Sequence, residues 1–287
     1  MNNAIEIREL VKEYPSFRLN IPSLDIPKGK IVGLIGENGA GKTTLISLLL
    51  NQISRVTGDV RILGLDNILK ETIAKSKLGF VVDECCFHPC LTPKNINTIL
   101  KSVYTAWDEA YFGELIKRFG IPYVKKISDF SKGMKNKLMM ATSLAHNPEL
   151  LILDEITSGL DPVMRDDILQ IMQEFTSGSS KSVLFSTHIT SDLEKIADYV
   201  AFLHQGELVF VEEMETLKNN FCVAKCSKNE FDAVRNNQVK AFKIESDGNI
   251  TVLWRKDAAH NDFFTAIDYT TPSLEEIMLL HIKGDVG

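Results

Sequence analysis

The 287-residue chain has no apolar run long enough to cross a bilayer. Its longest, LISLLL (45–50) and LLIL (150–153), fall far short of the roughly 20 residues that a spanning helix needs. The opening MNNAIEIREL lacks the charged-then-apolar layout of a secretory signal, so the chain is expected in the cytosol. Positive charge is not in excess: 32 Lys and Arg against 38 Asp and Glu give a formal net charge of −6. Nucleic acid is therefore not an expected partner, and any bound anion must be gripped by local geometry. The five cysteines are an odd number, which argues against a disulfide framework. Three lie in CCFHPC (Cys85, Cys86, Cys90, with His88) and two in CVAKC (Cys222, Cys226). Neither group has the paired spacing of a structural zinc site, so reduced thiols are expected. No internal repeat or low-complexity segment is visible.

What is present is a composition 44% hydrophobic, enough for one large α/β core and a small appendage. AIEIREL and FRLNIPSLDI alternate apolar and polar residues, the pattern of half-buried antiparallel strands. KIVGLIG (30–36), LLILDE (150–155) and SVLFSTH (182–188) are nearly continuous apolar runs, the mark of strands covered on both faces. Helical patterns separate them: TTLISLLLNQI, PVMRDDILQIMQEF with Asp161 as cap and Pro162 in the first turn, and SDLEKIADYV. The alternation predicts a mostly parallel sheet with helices on both faces, interrupted by a helical insertion over about 84–146. Beyond residue 216 the composition shifts. FKIESDGNITVLW predicts a hairpin around an Asp-Gly turn, and TPSLEEIMLLHIK a closing helix with Ser273 and Glu276 spaced as a capping box.

The chemistry concentrates in three places. GENGAGKTT (36–44) fits the pattern G-x-x-x-x-G-K-[ST] between a buried strand and a helix. Gly36, Gly39 and Gly41 let the backbone curl, so that the amides of the loop, those of Asn38 and Ala40 included, point at phosphate oxygens. The positive end of the following helix adds to that field. Lys42 is expected on the β- and γ-phosphates, Thr43 on Mg²⁺, and Thr44 as a further hydroxyl of the cradle. In LLILDE, Asp154 ends a strand where it can orient Mg²⁺ through its water shell, and Glu155 can accept a proton from an attacking water. His188, at the end of the third buried run, can reach a γ-phosphate.

The order of these elements adds specificity. Asp83, in GFVVDE, lies 41 residues after Lys42; SKGM (131–134), LDEITSGLDP (from 153) and His188 follow. Over about residues 4–215 this succession resembles the ATP-binding subunit of ABC transporters. The resemblance implies an α/β P-loop NTPase core (residues 1–216) with an N-terminal antiparallel β subdomain, followed by a small α+β accessory or dimerisation domain (217–287). It implies ATP and Mg²⁺ as ligands, with Tyr14 against the adenine and Asp83 near the metal. It makes Ser131 and Gly133 a signature turn that closes over the nucleotide of a second ATP-binding subunit, a second copy or a paralogue. It makes Asp161 part of the loop between the two sites and His188 a switch for hydrolysis.

An integral membrane permease is the further implied partner, with the chain peripheral on the inner face of the cell membrane. Lys132 and Met134 depart from the usual signature, Asp83 with Glu84 from the usual glutamine, and Ile156 from the usual proline. With the ending PSLEEIMLL, these departures look most like exporters of the bacitracin-resistance type, related to systems that move antimicrobial peptides. Two other readings of the same motifs stay open: a soluble ABC ATPase of cofactor assembly, and a nucleotide-gated regulatory module with little hydrolysis.

Overall fold

The structure is a computed structural model that describes residues 3–82, 84–234, 239–255 and 269–286. It opens with a long antiparallel hairpin, β1 (Asn3–Tyr14) and β2 (Phe17–Pro27), whose alternating residues bury one face. Strand β3 (Ile31–Ile35) leads into helix α1 (Lys42–Leu49). This helix ends before the NQI that the apolar spacing includes, and Asn51 takes a positive φ of 52°. Then come β4 (Thr57–Ile62), β5 (Leu65–Asp66), α2 (Glu71–Ser76) and β6 (Leu78–Val81). A helical segment follows: α3 (Pro93–Val103), α4 (Glu109–Arg118) and α5 (Lys132–Leu144). Each of the three starts at a side chain that accepts from the first turn, namely Thr92, Asp108 and Ser131.

The chain returns to the sheet with β7 (Leu150–Asp154), α6 (Pro162–Thr176), β8 (Ser182–Thr187), α7 (Thr190–Ile196), β9 (Tyr199–His204) and β10 (Glu207–Glu213). Helix α7 is shorter than SDLEKIADYV predicts. The Asp198 amide is taken by the Ile31 carbonyl at 2.8 Å, and Tyr199 onward pairs in parallel with β3. One ten-stranded sheet results, in the order β5-β4-β1-β2-β10-β9-β3-β8-β7-β6. From β6 to β9 it is parallel, and the N-terminal antiparallel strands join the same sheet through β10.

The continuous apolar runs are explained by cover on both faces. Leu151, Leu153, Val183, Phe185 and Phe202 face helices α5, α6 and α7. Leu150, Ile152, Leu184 and Leu203 face α1 and the β1–β2 hairpin. The strand ends that carry GENGAGK, DE and TH thus emerge side by side at one edge of a rigid core, where ligands of open α/β sheets bind.

After α8 (Met214–Asn220) a separate antiparallel sheet is built from β11 (Phe221–Cys226), β12 (Val239–Ile244), β13 (Ile250–Arg255), β14 (Tyr269–Thr270) and β15 (Asp285–Val286), in the order β14-β11-β13-β12-β15. Helix α9 (Lys228–Val234) and helix α10 (Leu274–Lys283) belong to this unit. The Asp-Gly hairpin is present, with Gly248 at φ 85° and the Glu245 amide bonded to the Asn249 carbonyl at 2.8 Å. Ser273 and Glu276 form the capping box of α10. Helix α10 is tied back to the larger sheet. The Leu274 amide donates to Glu194 of α7 at 2.8 Å, and the His281 ring stands edge-on to Phe202 and Phe210. Among the described residues no helix is long and apolar enough to cross a membrane.

Candidate functional site

The loop between β3 and α1 has its shape because glycine occupies its tightest points. A Cβ on Gly36 would lie 2.4 Å from the Leu203 carbonyl oxygen, while Gly39 and Gly41 have φ of 85° and 107°. Gly41 caps α1 with no side-chain bond, so the first amides of the helix are open to a ligand. Lys42 is only 6% exposed and its ammonium donates to the carbonyls of Gly36 (2.8 Å) and Glu37 (3.2 Å). The lysine is thus folded back over the loop, with its charge against two loop carbonyls. Thr43 is exposed and Thr44 half-buried in the first turn of α1.

Two acids meet this loop from β7. Asp154 is 2% exposed and its carboxylate accepts the hydroxyl of Ser186 on β8. Glu155 has a positive φ of 51°, a conformation that costs a non-glycine residue about 1–3 kcal/mol. That turn is held by the Glu155 amide, which donates to the Ser186 hydroxyl (3.0 Å) and faces the Ser186 carbonyl (3.2 Å). As a result the Glu155 carboxylate swings to the P-loop side. One oxygen accepts from His188 Nδ1 at 2.7 Å, and the other stands 3.7 Å from Lys42 Nζ.

These groups line one cavity of about 820 Å³ together with Tyr14, Phe17, Asn38, Gly39, Gly41, Thr43, Thr44 and Ser158. Tyr14 is 43% exposed at the hairpin tip, its ring 6.5 Å from that of Phe17 and 5.0 Å from the Lys12 ammonium. Phe17 packs toward Gly41, where it closes the back of the loop. The cavity presents hydroxyl and carboxylate oxygens, from Thr43 and Asp154, between the Lys42 ammonium and the N-terminal end of α1. Hard oxygen donors of this kind suit Mg²⁺ beside a phosphate.

Three expected residues stand apart from that convergence. Ser131 is the N-cap of α5, its hydroxyl accepting the Met134 amide at 3.3 Å, and Asp161 caps α6 by accepting the Met164 amide at 3.1 Å. Gly133 is in neither strained nor crowded backbone: a Cβ there would meet Leu160 at an ordinary 3.5 Å and the Ser131 hydroxyl at 4.0 Å. Asp83 lies outside the described residues. Lys132, between Ser131 and Gly133, lines the same cavity as the P-loop of its own chain, which the sequence reading did not foresee.

Ser186, Phe17 and Ser158 were also not foreseen. Ser186 stands within STH, two residues before His188, and that run is its only signal. The cysteines of CCFHPC are free, with His88 Nδ1 3.0 Å from Cys90 Sγ. Among the described residues no three His, Cys, Asp or Glu side chains gather as a metal-binding cluster.

Known proteins share the family and the fold. The profile of the ABC transporter family matches residues 19–158. The ABC transporter ATP-binding protein YtrB of Bacillus subtilis is 34% identical over 218 residues, 76% of this chain and 74% of that protein. The bacitracin transport ATP-binding protein BcrA of Enterococcus faecalis is 32% identical over 275 residues, 94% of this chain and 83% of that protein. The lantibiotic transport ATP-binding protein SrtF of Streptococcus pyogenes is 31% identical over 218 residues, 75% and 93% of the two. A solved ATP-binding subunit of an ABC transporter superposes with a TM-score of 0.67 at 25% identity, covering 75% of this chain and 92% of the other. A dimeric ATP-binding cassette in a post-hydrolysis state with ADP and Pi shares the fold, with a TM-score of 0.65 at 21% identity over 73% of this chain and 98% of the other.

Proposed function

This chain belongs to the ABC transporter family of ATP-binding proteins, and from that premise we propose how its site turns ATP hydrolysis into work on a membrane partner. The chain is an ATPase, the motor subunit of a transporter. The observation that carries the mechanism is the meeting of Glu155 with both His188 and Lys42 over the P-loop cavity.

ATP enters with its adenine against Tyr14 and its phosphates among the amides of Gly36, Asn38, Gly39 and Gly41, while the Ala40 amide is held by the Glu37 carbonyl at 3.1 Å. The Lys42 ammonium and the dipole of α1 neutralise the β- and γ-phosphates. Thr43 would hold Mg²⁺ and Asp154 would orient it through its water shell, with Asp83 assigned to the same ion. When bound, the ion would supply neutralisation of phosphate charge. Glu155 takes the proton of the attacking water, and His188 orients Glu155 and stabilises charge on the transferring phosphoryl group.

Ser131 and Gly133 act on the nucleotide of a second ATP-binding subunit, and Asp161 lies between the two sites. The lack of any need for a glycine at 133 within the chain supports this, because that bare backbone is then available to a neighbour's phosphate. ATP closes the pair of subunits and hydrolysis releases it. A permease feels the motion through the helical segment α3–α5. The likeness to BcrA and SrtF supports export of a peptide or other amphipathic compound, with the chain peripheral on the cytoplasmic face of the membrane. The residues beyond 216 form its accessory domain.

The test is twofold. Phosphate release by the purified chain should require Mg²⁺, and affinity capture from membranes should bring a multi-spanning protein with it. A chain that hydrolyses ATP at the full rate without Mg²⁺, or that comes off membranes alone, overturns the reading.

A further inference from the structure

A second cleft, of about 630 Å³, opens in the C-terminal unit between its sheet and α10, and shares no residue with the nucleotide cavity. Its volume falls within the roughly 300–1,000 Å³ of small-molecule sites. Strand alternation explains why it is there. One face of the sheet carries Phe221, Ala241 and Leu253, which α10 covers with Leu274, Ile277 and Met278. Two residues further along β11 and β12 the same face turns polar. Lys225 and Lys243 stand on either side of Thr251 in one cross-strand row. Opposite this row α10 presents Leu279, 40% exposed, and Lys283, so helix and sheet part and leave an apolar floor with Val223 and Leu280.

The charges are not balanced. Lys243 is paired with Glu245 at 2.8 Å, and the other oxygen of Glu245 accepts from Thr251 at 3.1 Å. These bonds hold the Glu245 carboxyl below its usual range, Lys243 contributing most. The Glu276 carboxylate is turned back to the cap residue Ser273. Lys225 and Lys283 make no direct ion pair among the described residues, although Lys225 helps to lower the carboxyls of Glu245 and Asp247, and both lysines line the cleft. An apolar floor beneath three ammonium groups and two carboxylates, a lining of net positive charge, is the complement of one kind of molecule.

We propose that this cleft binds an amphipathic anion, an apolar chain carrying a single carboxylate or phosphate. The chain lies on Val223, Leu279 and Leu280, and the headgroup is met by Lys225 and Lys283. The apolar part sets affinity through its buried area, and the lysines exclude neutral and cationic analogues. The inference is independent of the nucleotide chemistry.

The experiment is calorimetric titration of the full chain with decanoate, decyl phosphate and decanol, repeated on a Lys225→Glu/Lys283→Glu variant. Both substitutions are at exposed positions, so folding and nucleotide binding should be retained. One equivalent of an anionic probe should bind saturably, with decanol at least about tenfold weaker and the charge-reversed variant weakened by about tenfold or more. Tighter binding of decanoate or of decyl phosphate identifies a fatty-acid or a phosphate-headed source. The proposal is overturned by no saturable binding below about 1 mM, by decanol binding as tightly as the anions, or by a variant that binds as tightly as the parent chain.

Discussion

The hydroxyl of Ser186 on β8 is hydrogen-bonded to the carboxylate of Asp154 on β7. The same oxygen accepts the amide of Glu155, so one small side chain orients the acid assigned to the metal and the turn that presents the assigned base. Neither acid reaches its place by its own conformational preference, since Asp154 is buried and Glu155 is left-handed.

Ser186→Ala should therefore act on turnover more than on binding. Asp154 loses its donor in a buried site, while Glu155 keeps only the longer bond to the Ser186 carbonyl. We expect kcat for phosphate release to fall about 10- to 100-fold, the effect of leaving a buried charged acceptor short by about 1.5–3 kcal/mol, with KM for ATP changed less than about threefold. Steady-state kinetics decides this, and an unchanged kcat removes Ser186 from the positioning role.

Lys42→Ala should weaken ATP itself. The ammonium is centred over the loop by two carbonyls, and its removal leaves the phosphate charge to the amides alone. A rise in Kd of at least about tenfold is expected by equilibrium titration with Mg·ATP, the cost of one charge-assisted contact. Equal affinity would unseat the P-loop assignment.

Gly133→Ala separates a role in the fold from a role between subunits. Alanine fits the space beside Leu160 and is the better helix former by about 0.5–1 kcal/mol, so the melting temperature should hold or rise. If the turn receives a neighbour's phosphate, the same change should abolish the ATP-dependent dimer that a Glu155→Gln chain accumulates. Light scattering of Glu155→Gln with and without Gly133→Ala, in Mg·ATP, gives the answer. Dimerisation unaffected by the alanine would refute the trans contact.

Stability should decline on the acid side of neutrality. His146 is buried against Tyr104, its ring nitrogens facing the carbonyls of Leu78 and Thr142, and burial pushes its pKa below the ordinary value. His281, packed on Phe202 and Phe210, is lowered first by burial in the same way. The unfolded chain, with histidines near 6.5, then binds more protons than the folded one, so stability is present above that pH and is lost as pH falls through it. The melting temperature should drop between pH 7.5 and 5.5, and drop less in His146→Gln, although that variant starts lower. Parallel melting curves for the two proteins would exclude His146 as a source.

The P-loop and the DE pair were legible because their spacing is dictated by a ligand of fixed size, and the buried strands because cover on both faces leaves no alternation. Ser186 was not, since a serine bonded to residues 31 and 32 positions away looks like any other hydroxyl at a strand end. The end of α7 was misjudged for a similar reason. Ala197 to Val200 keep a helical apolar spacing, and the distant Ile31, bonded to both the amide and the carboxylate of Asp198, turns the chain into β9 instead. Strands β14 and β15 are two residues each, too short for any period to register.

The edge-on stacking of His281 against Phe202 and Phe210 makes α10 the lid over an aromatic pair whose ring centres are 5.4 Å apart. Shearing the protein off after Asn220 would bare those rings, and with them the apolar flank of α7, to water. Shortened versions of this ATPase would then clump, and the smallest monodisperse piece must keep its last helix.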